Sequence, residues 1–243
     1  MPTDERLAMP TKGGAGLLAE VKATGMVLGG GLGVMWIVQI VNAVLGGALF
    51  DFGVHPRSLL GLLGILFAPF LHANFAHLIA NTIPLAVLGF FVMLRRKRDL
   101  AYVSASAALV GGLGTWLIAP SNTVHAGASV LVFGYLGYLL FRGIFEKRFW
   151  SIVGSVVVFL LYGTVLFGVL PGQIGISWQG HLFGLLGGIL AARLMKQPKA
   201  LATEPVEARP ERARIAAPSR ALPDDDDVDE ELEAARAKLR GTR

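Results

Sequence analysis

Six apolar segments account for most of the first 195 residues and leave this chain few choices of fold. They cover residues of about 26–49, 75–94, 101–119, 128–142, 149–170 and 180–195. A helix needs about 20 apolar residues to cross the hydrocarbon layer of a bilayer. Hydrophobic residues form 53% of the chain and charged residues 16%, whereas charged residues form about 25% of ordinary soluble domains. The sequence therefore predicts an all-α membrane protein with six transmembrane helices.

Positive charges between these segments lie on alternate sides of the predicted membrane. They are Lys12 and Lys22, then Arg95, Arg96, Lys97 and Arg98, then Arg142, Lys147 and Arg148, and finally Arg193, Lys196 and Lys199. The opposite loops contain one lysine or arginine, Arg57, within residues 51–74, 120–127 and 171–179. Because cytoplasmic loops are enriched in lysine and arginine, both termini are expected in the cytoplasm. The net charge of +5 is thereby explained without a nucleic-acid partner, and the absence of a transit peptide favours a bacterial plasma membrane.

Two of the six segments are short, and each begins with a residue suited to hydrolysis. Ser129 opens the fourth segment and His181 opens the sixth, and each segment offers about 15 apolar residues where about 20 are needed. Non-helical backbone at membrane depth is tolerated only where protein buries it or where it lines a water-filled cavity. The short fourth and sixth spans therefore predict an outward-facing cavity that holds a serine and a histidine.

Other polar residues are expected at the same membrane face. His72, His77 and Asn81 lie at the outer end of the second segment, and residues four apart, such as His77 and Asn81, share one face of a helix. A serine becomes a good nucleophile when an adjacent base takes its proton. These residues predict a Ser129–His181 dyad, because no Asp or Glu is positioned to complete a triad. The Ser129 backbone N–H, His77 and Asn81 would then donate hydrogen bonds to an oxyanion.

Three motifs carry these residues: HANFAHLIAN at 72–81, GAS at 127–129 and GHLFGLLGG at 180–188. In this order, within residues of about 25–195, they resemble the rhomboid family of intramembrane serine proteases in its six-span form. The resemblance implies Ser129 as nucleophile, His181 as base, and His77 and Asn81 as oxyanion-hole partners. It also implies structural support from His72, Gly127, Gly184 and Gly188. Single-span membrane proteins, cut near the outer membrane face, are the implied substrates.

Two departures from the family pattern leave an alternative open. Val130 follows Ser129 where the family usually has glycine, and the Trp-Arg pair of the first loop is replaced by Pro56-Arg57. The competing hypothesis is a catalytically inactive rhomboid-like protein that binds membrane clients. A transporter or channel would need polar residues deeper in the spans, and the pattern places the two that stand out, Gln39 and Asn42, away from the cluster.

The remaining features indicate no cofactor. Cysteine is absent, and His72 and His77, five residues apart, would lie about 140° apart on a helix without a carboxylate beside them. Residues 1–24 are predicted as a polar cytoplasmic tail and 196–243 as a disordered charged cytoplasmic tail. The glycine runs at 29–33 and 184–188 predict close helix packing within the chain, with dimerisation as the less favoured alternative. The oligomeric state is not determined by the sequence.

Overall fold

The structure, a computed structural model, describes residues 14–196. In this range the chain forms α-helices joined by short 3-10 segments, and the only extended pairing is an isolated bridge between Val54 and His125. The all-α fold class predicted from the sequence is therefore confirmed for these residues. The predictions for residues 1–13 and 197–243, which make up most of the two tails, lie outside the described residues.

The helices follow the predicted segments with shifted ends. They are α1 (Gly14–Val44), α2 (Gly64–Phe67), α3 (Phe75–Met93), α4 (Lys97–Ile118), α5 (Ser129–Glu146), α6 (Phe149–Tyr162) and α7 (Trp178–Leu194), with 3-10 segments at Ala48–Phe52, Leu60–Leu62, Ala68–Phe70 and Gly163–Val169. The first helix begins at Gly14, inside the segment 1–24 that was expected to be a tail.

Five helical segments of the described range are long and apolar enough to cross a membrane. They are Val21–Val44, Phe75–Met93, Lys97–Ile118, Ser129–Glu146 and Phe149–Val169. The fourth segment is longer than predicted: α5 has 18 residues, because its last turn continues through Arg142 to Glu146, whose side chains pair at 3.2 Å. The sixth predicted span, α7, has 17 residues. The chain is a multi-pass membrane protein by this criterion.

The helix α5 is the centre of the bundle. Buried residues make up 61% of its span against 6% for the α6 span, and α5 packs against α3, α4, α6 and α7. Its apolar residues form the middle of the main core with Leu78, Leu88 and Val103 from α3 and α4. The first residue of this central helix is Ser129, so the packing of α5 determines where the candidate nucleophile lies.

Glycines allow α5 and α7 to approach each other closely. A Cβ atom on Gly188 would meet the carbonyl oxygen of Gly134, and one on Gly184 would lie 2.5 Å from the carbonyl oxygen of Val130. Small residues at a helix interface permit such backbone contact, as predicted for 184–188. The packing predicted for 29–33 is wrong, because a Cβ atom on each glycine there has nothing within 4 Å.

The helix ends that lie opposite the predicted site are joined by buried charges, among them Arg95, which the sequence pattern used only as a topology signal. Arg95 Nη1 lies 2.9 Å from Glu146 Oε1, and these side chains are only 8% and 2% exposed. The hydroxyl of Tyr138 donates to Asp99 Oδ2 at 3.2 Å, and Arg95 Nη2 donates to the Met195 carbonyl at 3.1 Å. This cluster holds α3, α4, α5 and the end of α7 together opposite the predicted site.

Close packing of α5 against α7 can be tested by stability. Gly188→Ala is expected to lower the free energy of unfolding in detergent by about 1–3 kcal/mol, since the new methyl group meets a backbone oxygen that cannot rotate away. Gly29→Ala is the matched control: its methyl group meets nothing within 4 Å, and alanine favours helix. Thermal unfolding of both variants gives the measurement. Equal destabilisation would contradict the glycine-mediated approach.

Candidate active site

Three of the predicted site residues, from three different helices, line one cavity. His77 of α3, Ser129 of α5 and His181 of α7 border a space of about 390 Å³, together with His125 and Ser177. Two further predicted residues, His72 and Asn81, do not line it and are 0% and 7% exposed. The structure thus collects a hydroxyl and several imidazole groups around one volume large enough for a peptide segment.

The backbone before Ser129 requires glycine. Gly127 has a φ of +137°, and a Cβ atom there would lie 2.7 Å from Cε1 and 3.0 Å from Nε2 of the His77 ring. The Gly127 N–H donates to the Ala68 carbonyl at 2.8 Å, which fixes the segment against the first loop. Because Ser129 is the first residue of α5, its own N–H is among the helix-terminal donors that the helix leaves without partners. This N–H points along the positive end of the helix dipole.

His181 is oriented by a backbone carbonyl and an aromatic ring. Its Nδ1 lies 2.9 Å from the Gly168 oxygen, and since a carbonyl only accepts, Nδ1 carries the proton and Nε2 is the free, basic nitrogen. The Phe133 ring stacks on the imidazole with centroids 4.1 Å apart and an interplanar angle of 13°. Gly168 must stay small, because a Cβ atom would lie 3.0 Å from Nδ1.

Ser129 and His181 share the cavity without a direct hydrogen bond. Among residues 14–196, no bond within 3.5 Å joins the Ser129 hydroxyl to the His181 ring, whose one bond is to Gly168. Nucleophile–base pairs are often looser without substrate than in the reacting complex. The geometry therefore places the two groups at one space with the base nitrogen uncommitted.

His72 lies behind Ser129 and outside the cavity lining. The Ala128 N–H donates to His72 Nε2 at 3.2 Å, so His72 holds the residue directly before Ser129. His72 precedes α3 in the loop and is fully buried. Burial, reinforced by nearby His77 and opposed by the Phe70 backbone, lowers the pKa of His72 from 6.5 to about 4. A neutral ring with an unprotonated Nε2 is what the Ala128 N–H needs.

His77 lies in the first turn of α3 and Asn81 in the second. Asn74 caps this helix by accepting from the His77 N–H at 2.9 Å, and the rings of His72 and His77 meet edge to face with centroids 5.2 Å apart. Within the described range, Asn81 Nδ2 is buried and has no hydrogen-bond partner. A buried amide donor without a partner costs free energy, so this group is available for an acceptor that the chain does not supply.

Asn42 corrects one expectation from the sequence. It was placed on the first segment away from the polar cluster, but its Nδ2 donates to the His72 carbonyl at 3.3 Å and its Oδ1 accepts from the Leu49 N–H at 2.9 Å. The side chain is 2% exposed. Asn42 therefore joins α1 to the loop that carries His72, a structural use of a polar residue within a span.

The described residues offer no arrangement for a metal. Across 14–196, no three His, Asp or Glu side chains are grouped so that they could hold an ion. His72 Nε2, one of the two nitrogens considered from the sequence, accepts the Ala128 N–H instead. The chemistry available at this cavity is that of hydroxyl, imidazole and amide groups.

Comparison with known proteins places the chain in a family. The Rhomboid domain family matches residues 59–198, more than half of the chain. The chain belongs to the rhomboid family. An uncharacterized protein of Mycobacterium tuberculosis is 46% identical over 155 residues, covering 60% of this chain and 65% of that protein. Rhomboid protease GluP of Bacillus subtilis is 32% identical over 133 residues, covering 54% of this chain and 25% of GluP. The chain thus spans less than two thirds of these curated relatives.

Val130, the departure from the rhomboid motif, is accommodated by two glycines. A Cβ atom on Gly111 of α4 would collide with Val130 Cγ2, and one on Gly184 of α7 would lie 3.1 Å from the same atom. From the sequence, Gly184 and Gly188 are the glycines expected to leave room for this side chain. Gly188 instead contacts Gly134, and Gly111 takes its place, so the branched side chain fills space that glycines of α4 and α7 leave.

The missing Trp-Arg pair of the first loop is replaced by a contact between two segments. Arg57, held at a φ of +59°, donates through Nη1 to the carbonyls of Leu117 and Ala119 at 3.2 and 2.8 Å. Trp116 Nε1 donates to the Ser58 carbonyl at 2.8 Å. A cation at the C-terminal end of α4 is electrostatically favourable, so this rhomboid-family chain anchors its first loop through an arginine and a tryptophan that are far apart in sequence.

Phe133 and Gly168 were missed by the sequence analysis. A weak signal existed for Phe133, which lies four residues after Ser129 and so on the same face of α5. No local signal marks Gly168, because its carbonyl reaches His181 from a 3-10 segment 13 residues away.

Burial of neutral His72 predicts a specific pH dependence. Between pH 6.5 and about 4 the unfolded chain binds a proton that folded His72 does not, so its contribution to stability falls by about 1.4 kcal/mol per pH unit as the pH decreases. His72→Gln keeps an acceptor for the Ala128 N–H and removes this titration. Its unfolding free energy is measured across this pH range. It should fall less steeply with decreasing pH than that of the wild type, and the difference in slope should correspond to about one proton. Identical slopes would show that His72 is not buried as a neutral ring.

Proposed function

We propose that this rhomboid-family chain is an intramembrane serine endopeptidase that cleaves single-span membrane proteins near the outer membrane face. Ser129 is the nucleophile and His181 the base. The proposal is carried by one observation: Ser129, His77 and His181 come from three helices to one cavity, while the His181 Nδ1 bond to Gly168 leaves Nε2 basic. The relative named rhomboid protease GluP supports the same class of reaction.

The proposed reaction begins with proton transfer from the Ser129 hydroxyl to His181 Nε2. The Ser129 oxygen attacks the carbonyl carbon of the substrate peptide bond, and the carbonyl oxygen becomes an oxyanion. His181 then gives the proton to the leaving amine, and a water molecule, activated by the same nitrogen, releases the acyl group from Ser129. The Gly168 carbonyl and the Phe133 ring hold the imidazole through these steps, as a carboxylate does in a triad.

The proposed oxyanion donors are the Ser129 N–H, His77 and Asn81, of which Asn81 lies behind the cavity lining. The Ser129 N–H lies at the positive end of α5, His77 borders the cavity, and Asn81 Nδ2 is buried without a partner. Pre-oriented donors are worth about 10²–10³ in rate each when they bond mainly to the transition state. His72 and Gly127 act from behind, by holding Ala128 and by permitting the turn before Ser129.

The proposed setting is a bacterial plasma membrane with both chain ends in the cytoplasm. The membrane domain is residues 25–195, and α7, with 17 residues, is a short sixth span that begins below the outer surface. Leu59, Leu60, Leu63 and Leu66 of the first loop are exposed apolar side chains, which suits a loop lying in the outer leaflet. A substrate helix must unwind locally in the cavity, because a helical backbone hides its carbonyls from the nucleophile.

An inactive rhomboid-like protein that binds membrane clients is the second candidate. It is favoured by two observations: among the described residues Ser129 has no hydrogen bond to His181, and Val130 occupies the position after the nucleophile. Such a protein would keep the cavity and the substrate-facing helices but lack turnover. The two candidates differ in one measurable property, the reactivity of the Ser129 hydroxyl.

The protease proposal predicts that turnover depends on both members of the dyad. Purified protein in liposomes should cleave a panel of single-span substrates, and Ser129→Ala and His181→Asn should each reduce cleavage to background. Asparagine can still donate to the Gly168 carbonyl but has no group at the Nε2 position. A fluorophosphonate probe should attach to Ser129 in the wild type and fail to attach in His181→Asn, because an unassisted serine is a poor nucleophile.

The control is His55→Asn, which changes a histidine outside the cavity and should leave cleavage and labelling at the wild-type level. Wild-type protein that neither cleaves nor reacts with the probe would overturn the protease proposal. If Val130→Gly then restored both cleavage and labelling, the chain would be an inactive rhomboid-like protein that binds membrane clients.

Orientation has its own test, since this chain has no cysteine. Single cysteines at Asn122 and Arg96 should react with a membrane-impermeant thiol reagent from opposite sides, position 122 from the outside. The reason is that loops rich in lysine and arginine stay in the cytoplasm. Labelling of both positions from one side would refute the six-span arrangement with cytoplasmic ends.

A further inference from the structure

We infer that His125 is a positioning residue that couples the backbone leading to Ser129 with the helix that carries His181. The inference rests on the proposed function. His125 lies four residues before Ser129, outside all three motifs, and lines the same cavity as Ser129 and His181. Its ring contacts Thr123 on one side and Ser177 on the other, each at 2.7 Å.

The direction of each hydrogen bond around His125 follows from its partners. The Thr123 hydroxyl donates to the Pro120 carbonyl at 2.6 Å, so Thr123 Oγ1 accepts from His125 Nε2–H. The other nitrogen, Nδ1, is then an acceptor in the neutral ring, and the Ser177 hydroxyl donates to it. Burial lowers the pKa of His125 below its ordinary value, which favours this neutral form. The ring therefore transmits one ordered chain of bonds from Pro120 to Ser177.

Ser177 bonds both to His125 and to the first turn of α7. It is the N-cap residue, and its Oγ accepts from the Gly180 N–H at 3.3 Å. Its carbonyl also accepts from the His181 N–H at 3.1 Å. The side chain that bonds His125 is thus the same one that starts the helix turn holding His181.

The other end of the connection is equally fixed. The backbone of His125 pairs with Val54 in both directions, at 2.8 and 3.0 Å, so the ring projects from a rigid part of the chain. In the part of the chain that the structure describes, the His125–Ser177 bond is the one hydrogen bond between residues 119–128 and Ser177 or α7. Glycine packing sets how closely α5 and α7 cross deeper in the bundle, and His125 sets the relation of their outer ends.

Two substitutions remove the connection in different ways. His125→Phe keeps a flat ring and loses both hydrogen bonds, whereas Ser177→Gly removes the hydroxyl at an N-cap position where glycine is tolerated. Each should lower the maximal rate of Ser129 labelling by a fluorophosphonate about tenfold or more, since small displacements of reacting groups have large kinetic effects. The probe concentration for half-maximal rate should change much less than the maximal rate, because Ser129, His77 and His181, which also line the cavity, are unchanged.

The combined variant and a rescue variant separate positioning from general damage. His125→Phe with Ser177→Gly should be no slower than the slower single variant, because both substitutions remove the same His125–Ser177 bond. His125→Asn, whose Oδ1 can accept from Ser177 near the former Nδ1 position, should recover part of the rate. His55→Phe, the same substitution outside the cavity, should label like the wild type, and thermal unfolding should show that all variants are folded.

The outcomes distinguish the inference from the proposed function. A wild type that labels at Ser129 while His125→Phe and Ser177→Gly label equally fast would overturn the positioning role and leave the hydrolase intact. Additive losses in the combined variant would also overturn it, since the two side chains would then act separately. A wild type that does not label would overturn the proposed hydrolase, and the inference with it.

Discussion

The structure depends on the close approach of α5 and α7. The carbonyl oxygens of Val130 and Gly134 lie too close to the Cβ positions of Gly184 and Gly188 for a side chain to fit without a shift, so glycine on α7 allows this crossing. One of the two helices begins with Ser129, and the other carries His181 in its first turn. In lipid, helices gain little from burying apolar surface against each other, and association relies on packing of this kind. The distance between the two proposed reacting groups is therefore a consequence of backbone contact.

The second constraint is that few ionised side chains lie near the cavity, within the membrane-spanning part of the chain. An ionised carboxylate within a span is expensive, and near the cavity the described residues orient histidine with neutral groups instead. Gly168 offers a carbonyl to His181, the Ala128 N–H donates to His72 Nε2, and Ser177 bonds to His125 Nδ1. The first two bonds each select one tautomer of the ring, and the tautomer of His125 follows from Thr123, whose hydroxyl donates to the Pro120 carbonyl. The buried charges lie at the opposite end, where Arg95 and Glu146 pair.

The sequence predicted what depends on residue type and period, and failed where the structure depends on contacts between distant segments. The all-α class and the approximate positions of the helices followed from hydropathy. Motif spacing predicted a common site for Ser129, His77 and His181, which line one cavity, and their catalytic roles stay a prediction. The length of α5 did not, because Arg142 and Glu146 look like a helix end until their pairing is known. Asn42 and Gly168 were misplaced or missed for the same reason: their partners are 30 and 13 residues away. The packing predicted for the glycines at 29–33 was wrong, because a pattern of small residues permits close helix contact but does not show that a partner helix is there.

Val130 shows how such distant contacts can replace a motif residue. A glycine after the nucleophile leaves room for neighbouring helices, whereas here the valine projects into space left by Gly111 and Gly184. Glycine on α4 and α7 thus supplies the room that the motif usually supplies on α5, and the apolar contact of the valine is gained in return. The same exchange occurs in the first loop, where Arg57 reaches the end of α4 and Trp116 reaches back to Ser58. A departure from a family motif in one segment is therefore best judged against the side chains that face it from other helices.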